Sequence, residues 1–127
     1  MTNYLHQELT EKIIRAYYNV YNKLGYGFLE KIYENALAIE MKNMGLNFSQ
    51  QVPISVNYDG VEIGNYFADI LVENKVILEL KAQERFLKEH EAQILNYLKA
   101  TQIEVGLLLN FGPNPQVSRK IFENHLK

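Results

Sequence analysis

Asp69 and the triplet Glu79-Leu80-Lys81 put two carboxylates and an ammonium into a stretch of sequence that is otherwise apolar. The run Val76-Ile77-Leu78-Glu79-Leu80-Lys81-Ala82 has the composition of a strand buried on both faces, where a charge without a partner is costly. Side chains alternate along a strand, so Glu79 and Lys81 share one face while Val76, Leu78 and Leu80 take the other. Both charges therefore serve one place.

Residues 61–72 and 76–82 read as paired strands joined by Glu73-Asn74-Lys75. A three-residue loop there, with Asn74 or Lys75 in a left-handed conformation, sets Asp69 opposite Glu79. A two-residue loop would instead set Asp69 against Leu78 and turn its carboxylate to the other side of the sheet. The site requires the longer loop. Two opposed carboxylates with no arginine between them repel each other unless a cation sits among their oxygens, and a hard divalent ion such as magnesium suits that chemistry.

A chain of 127 residues, 47% hydrophobic, suits one domain over 1–127 with a sizeable core. It has no cysteine, which excludes disulfides and thiolate zinc sites, and His6, His90 and His125 are too scattered for a histidine cluster. Any metal must be held by oxygen. The sequence shows neither a secretory leader pattern nor an apolar run near the roughly eighteen residues that span a bilayer, so a soluble, cytoplasmic chain with no membrane partner is expected. A net charge of −2 argues against non-specific coating of nucleic acid and leaves room for a local basic surface.

The surrounding elements follow from periodicity. Leu5, Leu9, Ile13, Ala16, Tyr17, Val20 and Leu24 mark a first helix, starting between Thr2 and Thr10 and stopped by Gly25. A second helix runs from about 28 to 44 with Leu29, Ile32, Ala36, Leu37 and Met41 as its apolar stripe. Residues 51–58 alternate as a strand, and Asp59-Gly60 turns the chain into the strand at 61–72. After the Glu79 strand come a helix at about 86–100, a buried strand at 105–109 and a last helix from near Pro115. This order predicts an α/β fold with a small mixed four-stranded sheet flanked by helices. Its last strand should run parallel to the one bearing Glu79, because a helix joins the two.

Gly27-Phe28-Leu29-Glu30-Lys31-Ile32-Tyr33 fits the pattern GxxExxY. With Gln51-Val52-Pro53-Ile54, Ala68-Asp69, the Glu79-x-Lys81 strand, His90-Glu91-Ala92-Gln93, Asn96-Tyr97-Leu98 and Leu108-Leu109-Asn110-Phe111-Gly112, the chain resembles the GxxExxY protein family over about 10–112. That family is a branch of the PD-(D/E)xK nuclease superfamily. One departure is Tyr26, where members often carry proline between the two glycines.

The resemblance implies a restriction-endonuclease-like core that hydrolyses phosphodiester bonds, with DNA as the implied substrate and Mg2+ or Mn2+ as cofactor. By the same resemblance, Asp69, Glu79 and the backbone carbonyl of Leu80 bind the ion, and Lys81 orients and activates the attacking water. Glu30 matches the acid that the superfamily often carries on the preceding helix. Gln93 and Tyr97 match its QxxxY element, one helical turn apart on one face. Arg85 and Lys88, with Lys81 and Lys99, could grip a backbone phosphate.

Each assignment has a plainer competitor. Asp69, Glu79 and Lys81 could form an ordinary cross-strand ion pair, and Glu30 and Glu34 could be a solvated helix face. Tyr33 and Tyr97 could simply pack, His90 could be structural, and the basic residues could be balanced by Glu84, Glu89 and Glu91. The rival function is a silent nuclease fold that binds nucleic acid or a protein; a third is catalysis on RNA or a nucleotide. So small a chain has little surface for reading a duplex, which makes a homodimer an expectation.

Overall fold

Gln7–Leu24 (α1) carries Ile13, Ala16, Tyr17 and Val20 on its buried side and ends where Gly25 takes a φ of 66°. The computed structural model describes residues 5–127, so the part of the expected helix start at 2–4 lies outside the described residues. Glu30–Asn43 (α2) follows with a rotated stripe: Tyr33, Glu34, Leu37, Ala38 and Met41 face inward. Leu29, at 79% exposure, and Ile32 face out, against the expected pattern. The cause is Tyr33. Its ring stacks on Phe111 with centroids 4.2 Å apart, and its hydroxyl donates to the Gly25 carbonyl at 2.7 Å while accepting the Phe28 amide at 3.2 Å.

Phe48–Tyr58 (β1) and Val61–Val72 (β2) form a hairpin whose turn residues Asp59 and Gly60 are both left-handed, as a tight two-residue turn requires. Val76–Lys81 (β3), Lys88–Lys99 (α3) and Val105–Phe111 (β4) complete the unit around the carboxylates. Pro115–Ile121 is a fifth strand (β5), followed by a 3-10 turn at Asn124–Leu126. The sheet order is β1-β2-β3-β4-β5; β3 and β4 are parallel as expected, and every other pair is antiparallel.

The sheet therefore has five strands where four were expected, and the helix expected from Pro115 is a strand. Every residue of β4 is buried, and a buried strand cannot leave one edge of backbone groups unpaired. β5 supplies those partners, with Pro115 tolerated as the first residue of an edge strand.

Helices α1 and α2 pack on one face of the sheet, over Ile70, Val72, Val76, Leu78 and Leu80. On the other face α3 packs its Tyr97 and Leu98 with Ile54, Ala68 and Ile77. Its close seat depends on Gly106, where an added Cβ would lie 2.8 Å from Ile94. Ala68 and Ile70 lie on opposite faces although two residues apart, so β2 changes face at Asp69. Gln51 in β1, between the pairs Gln50–Ile70 and Val52–Ala68, has a φ of 53° at the same level. No helix among the described residues is long and apolar enough to cross a membrane.

Candidate active site

Val72 pairs with Val76, which leaves Glu73-Asn74-Lys75 as the three-residue loop. Its left-handed residues are Glu73 and Asn74, both with φ 54°. The ladder between β2 and β3 ends at Ile70–Leu78. One step further, side chains replace it. Asp69 Oδ2 accepts the Leu80 amide at 2.8 Å, and Glu79 Oε1 accepts the Asp69 amide at 3.2 Å.

Glu79 is 4% exposed. Burial, reinforced by the Asp69 charge, pushes its carboxyl up to about 9, against the pull of the Asp69 amide and Lys81. The Asp69 carboxyl is raised as well, first by burial and then by the Glu34 charge, while the Leu80 amide, the Gln51 side chain and Lys81 oppose the rise. The two carboxyls approach closely enough to share a hydrogen bond when one is protonated. Lys81 is half-buried and favours both charges, yet forms no ion pair with either among the described residues. The pair is under-neutralised, and a proton or a cation relieves it.

The helix acid whose charge acts on this pair is Glu34. Glu30 is exposed in the first turn of α2, whereas Glu34, one turn later, is 3% exposed. Glu34 accepts Gln50 Nε2 at 2.6 Å, Gln51 Nε2 at 2.8 Å and Lys31 Nζ at 3.0 Å. The Gln51 amide also lies close enough to Asp69 to favour its charge, so Glu34 is linked to the site through that side chain. The available sequence signal was its position beside Tyr33, on the inward side of the helix.

Tyr97 is buried, and its hydroxyl is raised chiefly by burial, with the charges of Glu79 and Asp69 adding to the effect. Gln93 is half-buried one turn earlier and makes no side-chain hydrogen bond with another described residue. Arg85, in the loop before α3, and Lys88, its first residue, are exposed and form no ion pair among the described residues. His90 Nδ1 accepts the Leu87 amide at 3.1 Å, a capping bond at the start of α3.

Sequence reasoning gave no role to Asn110 and Gly112, which clamp the chain just beyond Lys81. Asn110 Oδ1 accepts the Gln83 amide at 3.0 Å, and Nδ2 donates to the Gln83 carbonyl at 2.8 Å and to Gln116 Oε1 at 3.0 Å. A Cβ at position 112 would lie 1.9 Å from the Gln83 carbonyl oxygen, so only glycine fits there. Tyr17 donates to the Asn110 carbonyl and accepts the Gln116 amide at 2.9 Å, and Tyr21 donates to the Gly112 carbonyl at 2.6 Å.

The available donors at the pair are all oxygen, which suits a hard divalent cation. No group of three or more His, Cys, Asp or Glu side chains able to hold a metal occurs among the described residues. An ion here would rest on Asp69 and Glu79, with backbone oxygen and water completing its shell.

The model of the PD-(D/E)XK nuclease superfamily matches residues 7–121. No curated protein matches the chain. Among solved structures, it is similar to the crystal structure of SSO0001, with a TM-score of 0.58 and 17% identity over 93% of this chain and 60% of that one. At that identity the likeness speaks for the fold alone, and this chain spans about three fifths of that protein's length. The family match covers nearly all of the elements that carry and support Asp69, Glu79 and Lys81, and the chain belongs to the PD-(D/E)XK nuclease superfamily.

Proposed function

We propose that this protein is a metal-dependent nuclease of the GxxExxY branch that hydrolyses phosphodiester bonds in DNA. The observation that carries the reading is the pairing of buried Glu79 with half-buried Asp69, whose mutual repulsion is offset neither by arginine nor by a direct ion pair with Lys81. Asp69, Glu79 and the Leu80 carbonyl would hold Mg2+ or Mn2+. The ion would supply Lewis acidity toward the phosphate and lower the pKa of a bound water.

The chain's own groups do the rest. Lys81 shares a face with Glu79 and places a positive charge where charge builds on the phosphate. Tyr97 and Gln93 line the approach along α3, and Arg85 and Lys88 at its start supply exposed cations for the backbone of the substrate. Glu34 fixes Gln51, which holds Asp69; Glu30 stands outside this set of contacts. A cytoplasmic homodimer acting through one domain per chain completes the proposal.

The test is incubation of the pure protein with single- and double-stranded DNA and RNA, with magnesium, manganese or chelator, beside Glu79→Ala. Metal-dependent cutting that disappears in the variant is expected. Equal cutting by the variant, or no cutting of any polymer, contradicts the reading.

A further inference from the structure

Between the free end of the β1–β2 hairpin and the second half of α3 lies a cleft of about 470 Å³. Its walls include Asn57 from β1, Tyr66 from β2, and Asn96 and Lys99 from α3. The cleft exists because β3 pairs with β2 only at residues 70–72, so the rest of the hairpin stands clear of the sheet. Tyr66 lies against Tyr97, with ring centroids 5.1 Å apart at 50°. Tyr97 is the residue whose hydroxyl feels the Glu79 and Asp69 charges. The Tyr66 wall of the cleft thus abuts Tyr97, which packs in one cluster with Ala68, the chain neighbour of Asp69.

We infer that this cleft receives one unstacked nucleotide of a single-stranded nucleic acid, next to the phosphate that is cut. The inference rests on the nuclease reading above and extends it to the form of the substrate. Tyr66 is 45% exposed and offers a ring to a base. Asn57 and Asn96 make no side-chain hydrogen bond with other described residues, so their amides can meet base edges. Asn57 borders a register shift after Val56, a bulge of the kind that re-aims side chains. Lys99 forms no ion pair among the described residues; its ammonium lies 5.5 Å from the Phe122 ring and supplies positive charge for a phosphate.

Asn96 and Lys99 follow Gln93 by about one and two turns of α3, so the cleft continues the line of the site along the helix. A base inside a duplex is stacked and paired and cannot offer its face to Tyr66. The substrate form that fits is a single strand or an unpaired end.

The experiment measures anisotropy of a labelled single-stranded DNA, a single-stranded RNA and a duplex with the full chain, in chelator so that nothing is cut. Tyr66→Leu and Lys99→Gln should each weaken single-strand binding about tenfold. Tyr66→Phe should keep it, and Lys12→Gln on α1 should leave it unchanged. Thermal melting confirms that each variant is folded. Unchanged single-strand binding in both variants overturns the inference, as does duplex binding that is equally tight and equally weakened, or no binding of any oligonucleotide. The DNA and RNA arms identify the sugar. Because binding is read without turnover, loss of cutting in Glu79→Ala leaves this result independent. Normal binding by the cleft variants of an active nuclease would remove this inference alone.

Discussion

Asp69 and Glu79 each hold the backbone where the ladder between their strands has ended. The Asp69 carboxylate takes the Leu80 amide at 2.8 Å and the Glu79 carboxylate takes the Asp69 amide at 3.2 Å. Each acid thus spends one oxygen on structure, and the second oxygen of each takes no backbone amide among the described residues. The same two side chains fix the strands and set up an unfavourable concentration of negative charge.

That charge makes stability depend on pH. With its carboxyl pushed up to about 9 from an ordinary value of 4.5, Glu79 keeps a proton in the folded chain that the unfolded chain releases. Asp69 is raised in the same direction. The contribution of these two carboxyls to the stability of the metal-free protein is greatest below the ordinary carboxylate range and falls as pH rises toward 9. Thermal melting in chelator should show Tm decreasing between pH 5 and pH 9, and Glu79→Gln should flatten the slope. A metal-free Tm that climbs over this interval contradicts the assignment.

A divalent cation competes with that proton, so its stabilising effect should grow with pH. At a concentration about 100 times its Kd the gain is about 2.7 kcal/mol by mass action. Manganese titrations followed by melting at pH 6 and pH 8.5 should show the larger shift at the higher pH. Asp69→Asn should abolish both shifts.

Glu34 and Glu30 should separate cleanly. Glu34→Gln loosens the charge-assisted hold on Gln50 and Gln51, and should weaken cation binding and cutting about tenfold, a magnitude typical of groups that orient metal ligands. Glu30→Gln should stay within about twofold, since an exposed helix charge contributes a few tenths of a kcal/mol. Calorimetric titration of both variants decides the matter, and the reverse order would return the helix role to Glu30.

The clamp behind Lys81 predicts a stability cost. Asn110→Ala leaves the amide and carbonyl of Gln83 without their side-chain partners and should cost about 3 kcal/mol in urea unfolding. Gly112→Ala drives a methyl into the Gln83 carbonyl and should be worse, giving a chain that fails to accumulate in folded form. Wild-type urea midpoints for both variants would show that the clamp is dispensable.

Much of this was legible in local pattern. The hairpin loop length, the Asp59-Gly60 turn and the faces of β3 follow from spacing, because strand periodicity and turn chemistry act over a few residues. The fifth strand was not legible. Pro115 suits the first turn of a helix as well as an edge strand, and only the exposed flank of β4 decides between them. The rotation of α2 was hidden for a similar reason. Leu29 and Ile32 look like core residues until Phe111, far along the chain, offers Tyr33 a stacking surface. With the helix turned, Glu34 points inward to Gln50 and Gln51, partners that no helical pattern contains.

The most direct measurement is anomalous diffraction from crystals soaked in manganese. The account predicts one strong peak between the carboxylates, about 2.2 Å from oxygens of both Asp69 and Glu79, and none in crystals of Asp69→Asn. Saturating manganese with no peak at that pair, or a peak held by other side chains, would contradict it.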